Sequence, residues 1–124
     1  MVINRQLLDS LLEQAKDSPR LRMNYDLRTS SADTSQRMLN ALLPGTEVPI
    51  HRHEETTETV VCLCGRLEEI LYEEMPDSSF QEVSKDLLCP AEGCFGIQIP
   101  AGAWHTIRVL EPSVIFEAKD GAYK

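Results

Sequence analysis

Ile3, Leu7, Leu8, Leu11, Leu12 and Ala15 recur at the spacing of one helical face, with Asp9, Glu13 and Gln14 off that stripe. Asn4 stands where an N-cap belongs. Ser18-Pro19 ends the segment, because the residue before a proline is pushed out of the helical region. A helix with one apolar stripe needs a surface to bury it, most simply the face of a sheet. Residues 20–28 then alternate: Leu21, Met23, Tyr25 and Leu27 against Arg20, Arg22, Asn24, Asp26 and Arg28. That two-residue period is the mark of a half-buried strand. Residues 29–35 read as a polar loop, and 36–43 fits a helical turn and a strand equally before Pro44-Gly45 ends it. Beyond lie short strands over 46–51, 58–64, 66–73, 80–85, 95–99, 104–110 and 113–119. They are separated at Gly65, Pro76-Asp77, Pro90, Gly93, Pro100-Ala101-Gly102 and Glu111-Pro112. One helix and many short strands at near-regular spacing predict a mostly β barrel or sandwich.

Length and composition narrow this. A chain of 124 residues is one domain, long enough to bury a core without staples. A net charge of −8 argues against a nucleic-acid groove and against an anionic membrane surface. The longest strictly apolar run is 60–64, far short of a membrane span. Asn4, Arg5, Gln6 and Asp9 fall where a signal peptide needs its apolar region, so a cytoplasmic protein is expected. Cys62, Cys64, Cys89 and Cys94 are then expected as reduced thiols. Their C-x-C and C-x4-C spacings fit a four-thiolate zinc site poorly, and small core residues in strands is the plainer reading.

The chemistry lies in the histidines. There are three, and His51 and His53 form H-x-H in a strand-like stretch, where residues i and i+2 share a face and reach one ion. Glu58 follows at the start of the next expected strand, and His105 at the start of a later one. Three imidazoles and a carboxylate suit one divalent transition metal ion: Fe, Mn, Ni, Co, Cu or Zn. On a six-coordinate ion they leave two positions for water, substrate or dioxygen. The bland alternative is that these are ordinary strand histidines satisfied by hydrogen bonds.

Gly45, His51, His53, Glu58 and Gly65 match every fixed position of the first cupin motif, G-x5-H-x-H-x3,4-E-x6-G. Pro100, Gly102 and His105 match the second, G-x5-P-x-G-x2-H-x3-N, whose first glycine falls on Cys94 and whose last Asn falls on Val109. The chain thus resembles the cupin superfamily. Residues 18–24 and 36–42 further resemble the flanks of WbuC-type cupin metalloproteins, which are associated with surface-polysaccharide gene clusters. The resemblance implies a single-domain cupin, a double-stranded β-helix or jelly-roll barrel with an N-terminal α-helix. Residues 1–44 would pack on a barrel formed by 45–124. It implies metal ligands at His51, His53, Glu58 and His105.

Strand alternation from Glu58 turns Val60, Cys62 and Cys64 inward, and from His105 turns Ile107 and Val109 inward, with Thr106 and Arg108 outside. A largely apolar pocket below the metal is expected. Trp104 should point away from it and pack as core or interface. Arg20, Arg22 and Asn24 share one strand face and would bind a substrate carboxylate or phosphate at the pocket mouth, the alternative being a solvated face. Glu54 and Glu55 are read as solvated, and Glu68-Glu69 and Glu73-Glu74 as a charged strand end.

The functional expectation is a metal-dependent enzyme on a small polar or carbohydrate-derived substrate, of isomerase, epimerase or dioxygenase type. The alternative is a non-catalytic metal and small-molecule binding or sensing module, since one fold serves both. A structural protein with a vestigial site is a third, opposed by the intact ligand set. With all three histidines claimed by the metal, no spare imidazole remains as a general base, and no other residue is singled out for that role. Exposed sheet edges point to a homodimer.

Overall fold

The computed structural model describes residues 1–121; the last three residues of the expected 45–124 unit lie outside it. Helix α1 spans Arg5–Lys16, and Asn4 caps it by accepting the Leu7 N–H at 3.0 Å. The strands are β1 (Arg22–Asp26), β2 (Ser35–Leu42), β3 (Glu58–Glu74), β4 (Phe80–Leu88), β5 (Gly96–Ile99) and β6 (Trp104–Asp120). All pair antiparallel in the order β1-β2-β6-β3-β4, with β5 on β3.

Two expected breaks are absent. Gly65 does not divide 58–64 from 66–73, and Glu111-Pro112 does not divide 104–110 from 113–119; each pair is one 17-residue strand. The register instead shifts at Cys62/Cys64, Cys64/Arg66 and Arg66/Leu67. Bulges absorb the turn-forming residues without ending the ladder. Gly65 sits here at φ +98, and a Cβ on it would overlap Ser113 Oγ and the Pro112 carbonyl. Ser113 Oγ accepts the Arg66 N–H at 2.9 Å and donates to the Glu111 carbonyl at 2.7 Å, stitching the two bulged strands together.

The slip also corrects the expected facing of Cys64. Cys62 lies in the inner core with Leu42, Val60, Leu67, Leu88, Ile99, Val109 and Ile115, whereas Cys64 packs on the helix side with Leu63. Both halves of β3 and of β6 contribute to that inner core, so each long strand folds across it. The second core holds Leu8, Leu11 and Ala15 of α1 against Leu39, Ala41, Leu43 and Val114. Strand β2 is therefore buried on both faces, which is why 36–43 lacks a clean alternation. Leu21, Met23 and Leu27 of the β1 region join the helix side.

Residues 46–51 do not form the expected strand. Only His51 pairs, in an isolated bridge with His105. Pro49 has no N–H to give to a ladder.

Candidate metal centre

Two short segments meet at the open side of β6. His51 N–H donates to the His105 carbonyl at 3.0 Å, and His105 N–H returns the bond to the His51 carbonyl at 2.8 Å. Gly102 N–H donates to the His53 carbonyl at 2.8 Å. Thr106 Oγ1 donates to the Val48 carbonyl. Thr106 faces away from the pocket as expected, yet this loop covers it, leaving it 9% exposed. The H-x-H segment is thus laid along the 100–105 segment by backbone bonds, not by a pleated strand of its own. The expected pleat argument is replaced by this bridge.

The three imidazoles converge. Donor nitrogens of His51, His53 and His105 all lie within 4.8 Å of one another, a group able to hold a metal ion. Ring centroids are 4.2 Å apart for His51 and His105, and 5.4 and 5.7 Å from each to His53. His51 Nδ1 is 2.8 Å from the Pro49 carbonyl and His105 Nδ1 is 3.0 Å from the Ala103 carbonyl. A carbonyl only accepts, so both Nδ1 atoms carry the proton and both Nε2 atoms present lone pairs. His105 Nε2 is buried and has no hydrogen-bond partner among the described residues. Burial holds His105 down to about 4, aided by His51 and His53 and opposed by the Ala103 carbonyl. Burial, His51 and Lys119 also lower His53. Glu58 begins β3, is buried, and puts Oε2 2.8 Å from His53 Nε2. Burial pushes its carboxyl up to about 8, with Glu117 adding and Lys119 opposing.

These groups open on a cavity of about 680 Å³. Arg20, Arg22 and Asn24 line it, as do Glu54 and Glu55, which stay exposed. Arg22 Nη1 also donates to the Glu47 carbonyl at 2.7 Å, so it braces the loop leading to His51. Trp104 lies outside, its ring 5.0 Å from Phe80 and its face under the Arg52 guanidinium at 4.5 Å.

The pocket is not the apolar one expected. Its wall follows cross-strand pairs, Gln36 beside Lys119 beside Glu58, and Met38 beside Glu117, with Asn40 one pleat further along β2. Asn40 Nδ2 donates to Glu117 Oε1 at 2.9 Å. Glu69 is no solvated strand end. It is 2% exposed and sits opposite Ile107, so it leaves the sheet on the face of His105 one pleat further on. Burial holds its carboxyl well above the usual range, with Glu58 and Glu117 adding. Burial likewise raises Glu117, against the Asn40 hydrogen bond. Gln36 and Asn40, polar residues in a mostly apolar run, were the signal available for this wall; for Glu69 there was none, because the bulges reset its face.

The antiparallel strands take the cupin fold, with three histidines gathered at the open side of β6, and solved structures of that fold resemble it. TT1209 from Thermus thermophilus has a TM-score of 0.67 at 24% identity over 98% of each chain. The cupin domain of Cnp3 from Schizosaccharomyces pombe has 0.56 at 12% identity, over 82% of this chain and 65% of that one. CapF, a capsular polysaccharide assembling protein from Staphylococcus aureus, has 0.66 at 16% identity; 86% of this chain matches 30% of CapF, so the chain spans under a third of it. At these identities the likeness is one of fold. The chain belongs to the family described as a domain of unknown function (DUF6016), whose model matches residues 3–83. That span takes in His51, His53 and Glu58 and stops before His105. No curated protein matches the chain.

Proposed function

We propose that His51, His53, His105 and Glu58 hold one divalent transition metal ion, and that the protein is a metal-dependent enzyme on a small polar or carbohydrate-derived substrate. The observation that carries this is the tautomer lock: the Pro49 and Ala103 carbonyls fix two Nδ1–H groups and leave Nε2 lone pairs facing one cavity. The Glu58–His53 separation of 2.8 Å supports the carboxylate as fourth ligand. Two adjacent ligands each about 2.1 Å from one ion lie about 3 Å apart. A bound ion supplies Lewis-acid polarisation of a carbonyl or enediol oxygen, or a place for dioxygen. The chain's own residues orient the substrate. Arg20, Arg22 and Asn24 receive its carboxylate or phosphate at the mouth.

The WbuC-type resemblance, and the capsular polysaccharide assembly named for the structurally similar CapF, support a role in surface-polysaccharide metabolism by isomerisation, epimerisation or oxidation. The chain acts as one domain, residues 1–44 supplying the arginine side of the pocket and 45–124 the ligands. It works in the cytoplasm as a homodimer, without nucleic acid or membrane. Among the described residues no helix is long and apolar enough to cross a membrane.

Elemental analysis of untagged protein should find near-stoichiometric metal, lost in His51→Ala and Glu58→Ala. Equal metal in all three overturns the assignment. Turnover of sugar nucleotides or keto acids, with and without air, separates an enzyme from a binding module, which would give saturable thermal stabilisation and no product.

A further inference from the structure

The cavity contains more polar atoms than the metal needs. Gln36, Asn40 and Glu69 are 1%, 8% and 2% exposed, and all three line it. Gln36 Oε1, Asn40 Oδ1 and Glu69 Oε2 are buried without a hydrogen-bond partner among the described residues. Buried polar atoms are otherwise paired almost throughout folded proteins, so three in one cavity point to something that enters it. Their identity says what. Asn40 Nδ2 is committed to Glu117 Oε1, which fixes the amide with its oxygen free. Gln36 likewise offers an oxygen. An anionic group brings no donor to these oxygens, and the cavity wall carries both signs, Arg20, Arg22 and Lys119 with Glu54, Glu55 and Asp120. Hydroxyl groups donate and accept without charge.

We propose that Gln36, Asn40 and Glu69 form a hydroxyl-binding subsite, which holds the body of a sugar or sugar acid in the cavity of the histidine cluster. This deepens the carbohydrate function proposed above and rests on it for the class of substrate. In the free protein, waters meet the three oxygens, and a ligand repeating their pattern of donors displaces them. The acid group of a sugar acid then lies toward Arg20 and Arg22, its hydroxyls toward β2 and Glu69.

The test is calorimetric titration of the metal-loaded protein with D-glucuronate, D-glucose and adipate, the last a carboxylate without hydroxyls. Glucuronate should bind about tenfold or more tighter than adipate, because a site built around hydroxyls leaves its own polar groups unpaired against an analogue lacking them. Gln36→Leu and Glu69→Gln should each shrink that gap, by weakening glucuronate more than adipate. The isosteric Glu69→Gln guards against a Gln36→Leu variant that fails to fold. The proposal is overturned if glucuronate and adipate bind alike, if no hydroxylated probe binds at tens of millimolar, or if the gap survives both substitutions. Metal content is measured on the same samples. Full metal with no hydroxyl preference overturns the subsite alone, whereas a preference lost in the variants of a protein that takes up no metal overturns the metal function and keeps the subsite.

Discussion

Each side chain of the pocket does two things, and the second is visible only from its neighbours. His51 and His105 present lone pairs because two carbonyls hold their other nitrogens. Glu69 is a carboxyl kept from water. Glu58 from its own strand and Glu117 from β6 act on it, and Lys119, His105, His51 and His53 line the same cavity. Its folded pKa is raised, so the stability it contributes is present below the unfolded value and lost as pH climbs through the folded one. Glu69→Gln removes that loss. In metal-free protein the variant should melt above the parent, by a margin that widens from about pH 5 to about pH 8 in thermal denaturation. A margin that is constant or narrows over that range refutes the buried neutral carboxyl. From the chain alone the four ligand candidates stood out by spacing, while Glu69 looked like one more acid in a charged run. Charge pattern reports exposure only while the strand phase is known, and here it is not.

At the scale of elements, the helix was legible except at its start, where Ile3 of the expected stripe lies exposed before the Asn4 cap: the rest of the stripe, the cap and the docking on a sheet follow from local periodicity. The long strands were not. Gly65 and Pro112 ordinarily punctuate, yet here they face each other across one bulge, where the absent Cβ lets β3 and β6 close together. Gly65→Ala therefore meets both a left-handed φ and the Ser113–Pro112 backbone. It should cost about 2 kcal/mol or more in urea unfolding. An unchanged midpoint would mean that the bulge bears no strain. Segment 46–51 failed as a strand for a related reason. Its bonds go to separate places, His51 to His105, the Val48 carbonyl to Thr106 and the Glu47 carbonyl to Arg22, so its conformation is set by partners far along the chain.

For the whole molecule, the sheet of the described residues ends at β1, β4 and β5, each paired on one side. Tyr25 on β1 and Phe80 and Val83 on β4 are 36%, 36% and 58% exposed. Open edges bearing apolar side chains invite pairing with a second copy. Light scattering should give about twice 14.0 kDa. A mass of one chain refutes the dimer.

The chain by itself determined what depends on near neighbours and on rare spacing: an acidic composition, the helix with its cap, and the histidine pattern from Gly45 to Gly65 and around His105. Only the tertiary structure decided the character of the pocket. Strands are paired across long loops, and a bulge of one residue turns a side chain from solvent to interior. Gln36, Asn40, Glu69 and Glu117 became one polar wall only when β2, β3 and β6 came into register.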